Sequence, residues 1–249
     1  MKNKMFVYVF VVFIFSAVLF ISCKGDKGDT GAPGPAGVSA DKQIFEIQFQ
    51  TGLHPDSAYD GCQDTYVVDS IPNTNFGQCG GMGIGIDAYG SIMRAFIKFS
   101  LIDLLGKNVT IKEAYLYLYP NSGGGAVTIT AYNVTTQWAE GPGGCVGYSD
   151  VPPATSWIYP WTNQGGDYGT AIASPQYFDI NSGSGLPIVF KIDAAVVQDW
   201  VDNPTMNNGI LLKISDESNL SMHFLNFATS EEASILSLRP KFDVFYTKT

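Results

Sequence analysis

Apolar residues fall on every second position in run after run of this chain. In "QIFEIQFQ", Phe45, Ile47 and Phe49 share one face, and Glu46, Gln48 and Gln50 share the other. "MRAFIKFS" sets Met93, Ala95, Ile97 and Phe99 on one side. "EAYLYLYP" sets Ala114, Leu116 and Leu118 against Tyr115, Tyr117 and Tyr119. "AVTITAYNV", "PIVFKI", "GILLKI", "MHFLNFA" and "KFDVFYT" continue the pattern, and "DTYVVD" gives a shorter run before the turn "SIPNTNFG". Strands send successive side chains to opposite faces, so period two predicts half-buried strands rather than helices.

One segment has another period. "DAAVVQDWVDNP" places Val196, Val197, Trp200 and Val201 at helical spacing. Asp193 is suited to cap its start, and the Asn203-Pro204 step to end it. Many short strands with turn signals and one helix predict an all-β fold, a jelly-roll-like antiparallel β-sandwich with one short helix. No repeat of 20–50 residues is visible, which argues against a propeller or solenoid.

The N-terminus belongs to a different regime. Lys2 and Lys4 precede the uncharged run Phe6 to Ile21, which is too short for a comfortable membrane span. This is the pattern of a signal peptide. "LFISC" resembles a bacterial lipobox, which makes Cys23 the expected lipidation site. Several acyl chains hold a protein firmly to a bilayer. Glycine then recurs at every third position from Gly25 to Gly37. That collagen-like Gly-X-Y stretch is too brief for a stable triple helix and reads as an extended linker. The expected organisation is a lipoprotein signal peptide at 1–22, lipidated Cys23 and linker over 23–42, and a sandwich domain at 43–249. The expected location is extracytoplasmic, on a bacterial outer membrane or cell surface, with the acyl anchor in the lipid bilayer.

Net charge is −9. The leader takes two lysines and no acid with it, so the exported chain stands at −11. Such a balance disfavours nucleic acid and anionic lipid surfaces as partners. Besides Cys23 there are Cys62, Cys79 and Cys145. In an exported chain two of these can pair. Cys62 and Cys79 flank the first turn region and are the favoured disulfide, leaving Cys145 over. Only His54 and His223 are present, without ligand spacing, so zinc is not expected. No cofactor is expected. Calcium is the cation that clustered carboxylates would take, and Asp60, Asp64 and Asp69 are the weak candidates. A solvated acidic strand edge is the plainer reading of those three.

The order and spacing of several pieces resemble the DNRLRE domain family, related to a region of archaeal disaggregatase. The pieces are "DTYVVDSIPNTNFG", "MRAFIKFSL", "IKEAYLYLY", "TTQWAEG", "SWIYPWTNQGGDYG", "FKIDAAVVQDWVDNPTMNNGILLK" and "FATSEEASILSLRPKFDVFY". The resemblance implies a jelly-roll sandwich used as an extracellular module and tied to polysaccharide recognition. It marks Trp138 and Glu140 as characteristic, not as catalytic. "GLHPDSAYDGC" and "QCGGMGIGID" depart from the pattern and read as local insertions.

Function is expected in two places. The stretch between Trp138 and Phe178 has little strand pattern, and loops of that length are usually functional or disordered. It holds Trp157, Tyr159, Trp161 and Tyr168, with Asn163 and Asp167 to engage hydroxyls. Flat rings suit the apolar face of a sugar. Equally, Trp157 and Trp161 can pin the loop to the sandwich as a satellite core. The row Tyr115, Tyr117, Tyr119 is the second candidate, at roughly 7 Å spacing along a strand. Trp138 reads as core. Glu140 is placed to bond backbone at the loop mouth or to ligate a cation. No motif brings two carboxylates together as a glycosidase needs, and no nucleophile elbow or P-loop is present. The expectation is a non-catalytic module that binds polysaccharide or envelope glycan through aromatic side chains. A structural or adhesive envelope protein with a protein partner, and a polysaccharide-degrading enzyme, are the alternatives.

Overall fold

A computed structural model of the chain describes residues 43–146, 148–149, 154–181 and 185–248, with residues 148–149 described by their backbone. The expected signal peptide, lipidated Cys23 and linker lie outside the described residues. The elements in chain order are β1 (Ile44–Phe49), β2 (Cys62–Val68), β3 (Thr74–Asn75), β4 (Gly81–Ile86), β5 (Ile92–Phe99), β6 (Val109–Leu118), β7 (Pro120–Gly124) and β8 (Ala126–Val134). There follow β9 (Tyr148–Ser149), β10 (Tyr168–Ala171), β11 (Gln176–Asp179), β12 (Ile188–Ile192), the helix α1 (Ala194–Asp202), β13 (Ile210–Ile214), β14 (His223–Ala228) and β15 (Lys241–Lys248). Short 3-10 turns lie at Pro204–Met206 and Leu236–Leu238.

Two antiparallel sheets face each other. The small sheet runs β1-β15-β6-β12. The large sheet runs β10-β8-β13-β5-β4-β14-β7, with β11 also on β8 and β2 on β5. The strands β3 and β9 make a separate two-stranded piece. Alternation decides which faces meet. From the small sheet, Ala114, Leu116, Leu118, Phe190, Phe242 and Val244 point inward and are buried. They meet Ile97, Phe99, Ile129, Leu212, Leu225 and Phe227 of the large sheet in one core. Truncating a fully buried member such as Leu116 to alanine costs about 2–5 kcal/mol, because the cavity collapses only partly.

Helix α1 closes the core. Val197, Trp200 and Val201 are its buried residues. The Asp193 carboxylate accepts from the Ala195 N–H at 2.9 Å, the expected cap. Gln198 fixes the helix to the start of β6, accepting from the Ile111 N–H at 2.8 Å. Among the described residues no helix is long and apolar enough to cross a membrane.

Three expectations are corrected. "QCGGMGIGID" is not a mere insertion. It supplies β4, with Met82, Ile84 and Ile86 fully buried and its pairing to β14 running from Gly81 to Ile86. Glycines fill the other face of β4, and at Gly85, with φ at +131°, a side chain would strike the β14 backbone. The stretch between Trp138 and Phe178 is not all loop either, since β9, β10 and the first half of β11 lie in it. The disulfide joins Cys79 to Cys145, not Cys62 to Cys79. Cys62 is a buried free thiol of the main core, whereas Cys79 sits in a separate cluster with Val68, Phe76 and Met93.

Candidate functional site

The large sheet has a second apolar layer on its outer face. Val67 of β2, Phe96 of β5, Leu211 of β13 and Val134 of β8 point away from the main core. The segment after β8 folds back over them and adds Trp138, Trp157 and Trp161. Trp161 stacks on Phe96 with centroids 4.6 Å apart and planes at 13°. Its Nε1 donates to the Ser156 carbonyl at 2.8 Å, and the Trp138 Nε1 donates to the Asn208 carbonyl at 2.7 Å. Arg94 lies over Trp157, with its guanidinium carbon 4.9 Å from the ring centroid. Gly166, at φ +118°, lets the segment lie flat, since a Cβ there would press into Phe96 and Leu211.

All four tryptophans of the chain, Trp200 included, are at most 8% exposed. Trp157 and Trp161 are therefore not open stacking platforms. Their area was needed to seal the sheet, and each indole N–H of Trp138 and Trp161 has found a carbonyl within the fold. Asp167 is likewise occupied. It accepts from the Thr162 and Asn163 N–H groups at 2.7 Å each, from Asn163 Nδ2 at 3.0 Å and from Thr136 Oγ1 at 2.9 Å. Burial pushes this carboxyl up, but the donors outweigh it and bring the pKa to about 2. Asp167 is thus the turn-former of the loop rather than a ligand acceptor, while the Asn163 side chain remains exposed beside it.

Open aromatic surface lies one step away. Register places Tyr132 of β8, Tyr168 of β10 and Tyr177 of β11 on the outer face of the large sheet, because Tyr168 pairs with Val134 and Tyr177 with Thr128. Tyr168 is 37% and Tyr177 70% exposed. Tyr168 packs on Tyr132 with centroids 4.8 Å apart. Between the rings β8 carries half-buried Thr128 and buried Thr130, whose hydroxyl shares a 3.0 Å hydrogen bond with Ser215. Lys213, which pairs with Thr130, points its Nζ to 6.0 Å from the Tyr168 ring and 2.9 Å from Glu217. Glu217 also takes a two-pronged contact from Arg94 at 2.8 and 2.7 Å. Burial raises Glu217, and these partners more than reverse it, so the carboxyl stays ionised and the cations stay fixed. Of this group the sequence had suggested only Tyr168. Tyr132 was visible in the alternation of "AVTITAYNV", but Tyr177 lies in a four-residue strand with no pattern of its own. Tyr159 is 39% exposed and stands apart at the loop turn.

The second tyrosine row lies on the outer face of the small sheet, where Tyr115 and Tyr117 are half-buried. Tyr119 falls beyond the end of β6 and its carbonyl accepts from Ala228. Lys241 sits 4.2 Å from the Tyr117 ring, and Lys191 5.6 Å from the Tyr115 ring. The Tyr115 hydroxyl donates to Glu113, and the ring meets Phe245 edge-on. Those contacts occupy ring surface that a sugar would need.

A third group joins carboxylates far apart in sequence. Asp64 on β2, Glu140 after Trp138 and Glu231 after β14 each bring an oxygen within 4.8 Å of the others. Such a cluster has the donors for a divalent cation. Glu140 accepts from the Asp64 N–H at 2.7 Å, the backbone bond expected of it. Burial, only partly offset by that bond, lifts Glu140 to about 7. The other two weak metal candidates do not join: Asp60 is exposed, and Asp69 accepts from the Ile92 N–H at 2.8 Å.

The outcome is an antiparallel sandwich with tyrosines aligned on an open sheet face. Residues 56–142, about a third of the chain, match the model of carbohydrate-binding module family 96. The matched stretch carries β2 to β8, and with them Asp64, Tyr132, Trp138 and Glu140. No curated protein matches the chain.

Proposed function

We propose that this protein is a membrane-tethered, non-catalytic module that binds polysaccharide along the outer face of its large sheet. The observation that carries the reading is the alignment of Tyr177, Tyr132 and Tyr168, with the half-buried Thr128 of β8 among them. Thr128 and Tyr132 stand four residues apart on one strand, so the strip is about 13 Å long, which suits a polymer segment rather than a single sugar. Rings supply the apolar contact and Thr128, Asn163 and Lys213 the hydrogen bonds. Because Lys213 and Arg94 share Glu217, the face presents donors without a large net charge. Neutral glycans fit that balance better than strongly anionic ones.

The tether is the lipidated Cys23 with its Gly-X-Y linker, which places the module outside the cytoplasm on a bacterial membrane. The Cys79–Cys145 disulfide supports an oxidising compartment. Binding per site is modest, and many modules on one membrane raise it on long polymers. Co-sedimentation of the purified full chain with insoluble polysaccharides, combined with an assay for new reducing ends, tests the reading. Pelleting with a polymer that stays intact supports it. Pelleting with chain cleavage points to the enzyme alternative. Failure with every polymer, alongside capture of an envelope protein, points to the adhesive alternative.

A further inference from the structure

We propose that Asp64, Glu140 and Glu231 form a calcium site that ties β2, the segment after β8 and the turn after β14 to one another. The three come from positions distant in sequence and belong to neither tyrosine face. Each has one oxygen already held by a donor of the fold. Asp64 Oδ2 accepts from the Ser230 N–H at 2.8 Å, Glu140 Oε1 from the Asp64 N–H at 2.7 Å, and Glu231 Oε1 from the Ser230 hydroxyl at 2.9 Å. The oxygens that remain are the telling ones. Asp64 is fully buried, and its Oδ1 has no hydrogen-bond partner. Glu231 Oε2 is buried and unpartnered too.

Buried carboxylate oxygens without a partner are costly, and crowding three carboxyls together adds to the cost. Among the described residues, none of the three takes part in an ion pair. The nearest cations are engaged elsewhere: Lys98 lies over the Trp138 ring, and Arg239 donates to the carbonyls of Glu232 and Thr51. A dication resolves the conflict where protonation only mutes it. Ligands at 2.3–2.6 Å from calcium are at most about 5 Å apart, and the three carboxyls each bring an oxygen within 4.8 Å of the others, close enough for a small side-chain adjustment to set them around one ion. The donors are hard oxygens. Cys62 lies nearby, but it packs in the main core and its thiol donates to Asp64 Oδ2 at 3.8 Å, so the group that gathers is an all-oxygen one.

The experiment uses the purified full chain, stripped with chelator and then dialysed against calcium. Metal analysis is expected to find one calcium per chain. At a hundred times the dissociation constant, calcium is expected to raise the melting temperature by roughly 5–10 °C for a domain of this size. Glu140→Gln and Glu231→Gln remove charge but little volume, so both fold without metal, and both lose the bound calcium and the rise. Asp216→Asn, at an exposed acid, keeps both. No bound calcium and no rise in the wild-type chain would overturn the proposal. So would a full rise in both glutamine variants, or a rise with zinc and none with calcium.

Discussion

Trp161→Ala separates a structural tryptophan from a ligand-binding one. The ring is buried, stacks on Phe96 at 4.6 Å and hydrogen-bonds the Ser156 carbonyl. Replacing it leaves a cavity over β5 and an unpaired carbonyl. Large aromatic-to-alanine changes in such settings cost about 3–5 kcal/mol. A domain of this size loses roughly 2–3 kcal/mol per molar urea, so the unfolding midpoint should fall by about 1–2 M. Total stabilities of about 5–15 kcal/mol leave most such variants folded in the cold. Urea titration followed by tryptophan fluorescence measures the loss. Binding of the folded fraction to its polysaccharide at low temperature measures the rest, and it should stay within about twofold of wild type. Trp161→Phe keeps the stack and loses only the N–H, so it should recover most of the stability. A Trp161→Ala protein of normal stability that no longer binds would refute the structural assignment and restore the loop tryptophans as the sugar platform.

Two further expectations rest on single features. The Cys79–Cys145 bond closes a loop with a sequence separation of 66. By chain entropy its removal in Cys79→Ala/Cys145→Ala costs about 4 kcal/mol, to be read from urea midpoints, whereas Cys62→Ser leaves the bond intact in a thiol titration. Asp167 has its folded pKa depressed to about 2 by the donors around it. Its contribution is therefore fully present above the ordinary aspartate pKa and is lost as pH falls through about 2. Asp167→Asn should be clearly less stable than wild type at pH 7, with the gap closing towards pH 2 in a series of thermal melts. A gap independent of pH would show that the carboxylate charge is not what holds the loop.

Much of the fold was legible because half-buried strands write themselves as alternation. β5, β6, β8 and β12 to β15 all carry it, and α1 announces itself by its spacing and its Asp193 cap. What escaped was written in another way. In β4 the alternation is there, Met82, Ile84 and Ile86, but glycines fill the other face, so a strand looked like an inserted loop. The site was less legible than the fold. Asp64, Glu140 and Glu231 meet only when β2, the end of the β8 segment and the turn after β14 converge, and proximity in sequence pointed instead to Asp60 and Asp69. Cys79 found Cys145 for the same reason. Aromatic content drew attention to the stretch from Trp138 to Phe178, yet content cannot say which rings face in. The indole N–H groups of Trp138 and Trp161 are satisfied inside the fold, and the exposed rings are tyrosines of neighbouring strands.

The central claim is tested most directly by affinity electrophoresis of the full chain and of Tyr168→Ala/Tyr177→Ala, through gels that contain neutral or acidic polysaccharides. A ring contact is worth about 0.5–1.5 kcal/mol, or roughly two- to twelvefold each. The wild type should be retarded by at least one neutral polymer, and the double variant should lose at least fivefold in affinity with an unchanged melting temperature. Tyr115→Ala/Tyr117→Ala should migrate as wild type. Full retention by the Tyr168/Tyr177 variant, with loss in the Tyr115/Tyr117 variant, would contradict the assignment and move the glycan to the small sheet.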